Sequence, residues 1–73
     1  MDKEFVERLW RENRKSIRGH EISPITALGF VSYALISCRH FHLGGDDELL
    51  AMLCHAVRLC EADSAEETAT EHA

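Results

Sequence analysis

Several things are missing from this 73-residue chain, and each absence narrows what it does. There is no surplus of basic charge: 13 acidic residues outnumber 8 basic ones, for a net charge of −5. Nucleic acid demands a positive field against its phosphates, so the overall balance speaks against a DNA or RNA partner. There is no paired set of cysteines either. Cys38, Cys54 and Cys60 are odd in number and lack metal-type spacing, which argues against a disulfide framework and for reduced thiols. No glycine-rich loop or oxyanion feature accompanies any nucleophile, so neither phosphate cradling nor acyl transfer has a sequence signature. Finally, Met1 leads directly into DKEFVERLWRENRKSIRG, which has no apolar signal core and no small-residue cleavage site. That pattern points to the cytoplasm rather than to export.

Length sets a further limit. A chain this short makes one domain and buries only about 60% of its unfolded surface, so its core is marginal and self-association is a common remedy. A sizeable private active site does not fit, and the expectation is a non-enzymatic protein with no cofactor. Hydrophobic residues make up 45% of the sequence, ordinary globular usage, so the middle of the chain folds.

Charge is uneven along the chain. Residues 1–18 hold six of the basic residues and four acids, net +2, which leaves −7 for the remainder. A weakly basic head precedes an acidic body.

The periodicity predicts three helices in an all-α bundle. The first runs from an Asp2 cap to about Arg18, with Gly19 at its end and Phe5, Val6, Leu9, Trp10 and Ile17 in one arc. Glu4 with Arg8 and Glu7 with Arg11 have the spacing of intrahelical ion pairs. The second has the clearest start signal, Ser23 as cap and Pro24 at the first helical position, and should end near Leu43 before Gly44 and Gly45. Between Glu21 and Arg39 it carries no charge. Thr26, Gly29, Ser32 and Ser37 interrupt that run, so a buried core helix is expected, not a membrane span. Its two apolar sides, Ile25, Leu28, Leu35, Ile36 and Leu43 against Phe30, Tyr33, Ala34 and Phe41, call for cover on both faces and make it the central helix.

The third helix begins at Asp46 or Asp47 and reaches at least Cys60 or Glu61. Leu49, Leu50, Met52, Leu53, Ala56, Val57, Leu59 and Cys60 cover more than half of its circumference, leaving Ala51, His55, Arg58 and Ala62 for water. Residues 1–62 then form a single helical domain. The acidic stretch 63–73 is a solvated tail, a short fourth helix capped by Ser64 and Glu67, or an extension of the third helix.

Candidate functional residues follow from these faces. Arg8, Arg11, Lys15 and Arg18 form a basic stripe on the first helix, and Trp10 is either core or a docking anchor. With Trp10 they are the expected partner-binding set. Asn13, inside the apolar arc, is placed to set the register of a helix pair. Leu50, Cys54 and Val57 at the edge of the third helix's arc are the expected dimer surface. Cys38 and His42 share a face at i,i+4 spacing, as helical metal ligands would, but lack a third and fourth ligand, so no metal is expected. Cys54 and His55 are adjacent in sequence and therefore point about 100° apart on a helix, which does not make a catalytic pair.

The expectation is a protein-binding module, a regulator, adaptor or inhibitor of another protein, working as a homodimer off the membrane. The alternatives are a nucleic-acid-associated regulator using the basic face of the first helix and a metal or thiol sensor at Cys38 and His42.

Overall fold

The computed structural model describes residues 2–15, 22–37 and 45–72, with side chains to residue 67. Three helices account for nearly all of them: α1 (Lys3–Arg14), α2 (Pro24–Ser37) and α3 (Gly45–His72). No strand occurs among the described residues.

Local chemistry explains both early helix starts. The Asp2 carboxylate accepts a hydrogen bond from the Phe5 backbone N–H at 3.0 Å, satisfying one of the orphan donors of α1. At α2 the Ser23 hydroxyl accepts from the Thr26 N–H at 3.3 Å, and the Ser23 carbonyl takes the first intrahelical bond from Ala27. Pro24 occupies the first helical position, where its missing N–H costs nothing. α3 starts one residue before the expected aspartates, at Gly45, whose φ of +75° a side chain would strain. Asp46, Asp47 and Glu48 then fill its first turn, where carboxylates suit the helix dipole.

Two boundaries differ from expectation. α1 stops at Arg14, because Lys15 already takes an extended backbone (φ −62°, ψ 141°); Ile17, Arg18 and Gly19 lie outside the described residues. α3 runs without a break through residues 63–72, so the acidic stretch extends the third helix rather than forming a separate one. Ser64 is therefore inside a helix, not at a cap. The expected end of the second helix near Leu43 falls outside the described residues.

The direction of packing follows from three side-chain contacts. Glu7 meets His55 and Arg14 meets Asp63, so α1 and α3 run parallel. Arg14 also reaches the carbonyl of Ile22, which puts the start of α2 beside the end of α1. The bundle is thus up, down, up. α3, about 42 Å long at 1.5 Å per residue, sets the 43 Å long dimension and outreaches its neighbours.

The core is a single cluster drawn from all three helices: Val6 and Trp10 of α1; Ala27, Val31 and Leu35 of α2; Leu49, Met52, Ala56 and Cys60 of α3. Spacings of four residues, with one of three in α3, turn one stripe per helix inward. Leu9, Ile22, Leu28, Leu53 and Leu59 pack around the cluster. Among the described residues no polar side chain is buried without a partner.

α2 departs from expectation. Only the stripe of Pro24, Ala27, Val31 and Leu35 is buried, while Tyr33 is 74% exposed, Ile25 72% and Phe30 53%. Each helix touches the other two, so α2 is one corner of a triangle and not a central element covered on both sides. Two neighbours packed on one side of a helix leave its other side in water.

Candidate functional site

Two regions stand out, one polar and one apolar. The polar region is where α1 ends. The guanidinium of Arg14, only 14% exposed, donates from Nε to Asp63 Oδ2 at 3.2 Å and from Nη2 to Glu67 Oε1 at 2.7 Å, and from Nη1 to the Ile22 carbonyl. The Trp10 indole N–H donates to the same Asp63 oxygen at 2.8 Å. One arginine therefore ties α1, the entry to α2 and the acidic half of α3. Charge-assisted bonds of this kind are about twice as strong as neutral ones. One turn pair further up, His55 Nε2 lies 3.3 Å from Glu7 Oε1. His55, expected to face water, instead bridges α3 to α1, and Glu7 serves that contact rather than a pair with Arg11.

Beside this clasp an open groove of about 490 Å³ runs between α1 and α3, lined by Glu7, Trp10, Arg11, Arg14, Lys15, Leu59 and Asp63. Its lining contains no hydroxyl or thiol. Arg14 and Asp63 are spent on each other and Glu7 on His55, which leaves Arg11 and Lys15 as its exposed charges.

The expected partner-binding set is only partly assembled. Arg8, Arg11 and Lys15 are exposed on α1. Trp10 is 4% exposed and belongs to the core, so it contributes a wall of the groove rather than a protruding anchor. Arg18 lies outside the described residues. The Asn13 Nδ2 donates back to the Leu9 carbonyl at 2.8 Å, one turn earlier on the same helix.

The apolar region is larger. Leu50, Cys54 and Val57 form an exposed stripe along α3, with Leu50 61% exposed. On α2, Ile25, Phe30, Tyr33 and Ile36 are exposed as well. Cys60 is buried as packing, and Cys54 and Cys60 are free thiols. Cys38 and His42 lie outside the described residues. Among the described residues no three His, Cys, Asp or Glu side chains converge as a metal site, and no helix is long and apolar enough to cross a membrane.

No family model, curated protein or solved structure matches the chain. Function has to be argued from these two regions.

Sequence reasoning passed over Arg14, Asp63 and Glu67. A signal was present: Arg14 follows Trp10 by one helical turn, and Asp63 and Glu67 are one turn apart. Two such polar pairs at the edges of apolar arcs are what a cross-helix clasp requires.

Proposed function

We propose that this chain is a small cytoplasmic protein-binding module, a homodimer that acts as regulator, adaptor or inhibitor of another protein. The observation that carries the reading is the exposure of Phe5, Ile25, Phe30, Tyr33, Ile36, Leu50 and Val57 beside a core of nine among the described residues. Each large apolar side chain left in water forfeits about 1.5–3 kcal/mol of burial, and apolar surface on this scale marks an interaction site.

Two classes of surface support two occupants. The apolar outer faces suit a second copy. The groove beside Arg11 and Lys15, with Arg8 one turn away, supports docking of an acidic segment of the regulated protein, because its other charges are internally paired. Net charge of −5 favours a protein partner over a polyanion.

The test is affinity capture from the native host with the wild-type chain and an Arg8→Glu, Arg11→Glu, Lys15→Glu variant, followed by direct binding measurements with each purified candidate. The expected result is a protein that binds the wild type directly and loses at least about tenfold in affinity for the variant. Equal binding by both chains sinks the docking role of α1, and capture of nucleic acid in place of protein sinks the protein-binding reading.

A further inference from the structure

Along α2, Ile25, Gly29, Ser32 and Ile36 form a palindrome, large, small, small, large, with spacings of four, three and four residues. At 100° per residue the four positions fall within about 60° of the helix circumference. Ile25, Gly29 and Ile36 are exposed, and Ser32 is half-buried. A palindromic stripe is self-complementary in one arrangement only, antiparallel to itself.

Gly29 has no role within one copy. A Cβ built on it meets nothing within 4 Å, and its backbone is ordinary helix without a positive φ. Glycine is the weakest helix former after proline, so the single chain would be better served by alanine. What glycine permits is the close approach of another backbone.

We propose that the outer face of α2 pairs with the same face of a second copy, antiparallel about a two-fold axis passing between Phe30 and Val31. This rests on the homodimeric reading above and names its surface. Each Ile25 then lies against the partner's Ile36, and each Gly29 against the partner's Ser32, so four isoleucines close over a narrow backbone contact. Charge agrees. Two chains of −5 repel, and α2 is the one helix with no charged residue from Pro24 to Ser37. The rival stripe on α3 is flanked by Asp46, Asp47 and Glu61: an antiparallel pairing that sets Leu50 on the partner's Val57 also sets Glu61 on the partner's Asp46.

Sedimentation equilibrium of the full chain tests this, with the wild type, Gly29→Leu, Ile25→Lys and Leu50→Glu compared, and circular dichroism to report helicity. Leucine at position 29 fills open space in a single copy and favours the helix, but wedges two copies apart. The expected result is a micromolar wild-type dimer, weakened about a hundredfold by Gly29→Leu and likewise by Ile25→Lys, with helicity kept, while Leu50→Glu dimerises as the wild type does. If Leu50→Glu alone is monomeric, the α2 pairing is overturned and the homodimer stands on α3. If all three variants dimerise as tightly as the wild type, the α2 pairing is likewise overturned. A wild type that stays monomeric to hundreds of micromolar overturns the homodimeric reading itself.

Discussion

The end of the bundle held by Arg14 and the outer face of α2 handle opposite kinds of group. At the clasp, charged and polar side chains turn inward across three chain segments and satisfy one another. On α2, Ile25, Phe30, Tyr33 and Ile36 turn outward into water. The contrast reverses the usual arrangement: here a mostly covered arginine ties three chain segments together, and isoleucines stand in water. Among the described residues nine core side chains line one side of each helix, and the polar clasp adds a second tie between the same helices.

Substitutions on the two sides of α2 sharpen this contrast most. Leu35 is 1% exposed, and Leu35→Asp buries an unpaired charge, a cost of several kcal/mol that exceeds what a domain of this size can absorb. Its far-ultraviolet dichroism should collapse. Phe30→Asp, on the exposed side, should keep native helicity at dilute concentration. Unfolding of both would mean that α2 is covered on both faces within one copy, as its composition alone suggests.

Arg14→Met comes next. Methionine keeps much of the apolar stem but removes the bonds to Asp63, Glu67 and Ile22, and it leaves two carboxylates close together. The expected loss is about 2 kcal/mol, visible as a lower thermal midpoint. An unchanged midpoint would reduce the clasp to a surface ion pair worth almost nothing.

Trp10→Phe has a smaller effect, about 1 kcal/mol beyond the change in packing, because it deletes the indole donor to Asp63. Pairing it with Asp63→Asn in a double-mutant cycle isolates the coupling. Additive losses would show that the indole and the carboxylate do not interact.

Gly29→Ala is the mildest and carries the opposite sign. The position is open, so the exchange should stabilise the isolated chain by about 1 kcal/mol through helix propensity. Measured at low protein concentration, a raised midpoint supports a glycine that serves something outside the single copy, whereas a lowered midpoint would reveal a packing role within it.

Much of the architecture was readable from short-range chemistry. Asp2, Ser23 and Pro24 announce helix starts because caps act over three residues, and the stripes that end in the core recur every three or four positions on each helix. The end of α1 was not readable, since a regular pattern to Arg18 gives no hint that Lys15 turns extended. The candidate partner surface was legible as exposed charge at Arg8, Arg11 and Lys15, but Trp10 was ambiguous, because an aromatic on an apolar arc fits a core and an interface equally well. His55 was misjudged for a related reason: a polar side chain's partner depends on which neighbour arrives, and His55, expected to face water, found Glu7.

By itself the sequence determined that the protein is three helices with a small shared core, acidic outside and without charge along α2. These follow from local capping, periodicity and composition, which act within a turn or two. Only the tertiary structure decided which side of α2 is covered, that Arg14 fastens all three segments, and that α3 continues unbroken to His72. A helix apolar on both sides does not say which side its neighbours will take; that is settled by the number of neighbours and the length of chain linking them, and two helices packed on one side cover only that side.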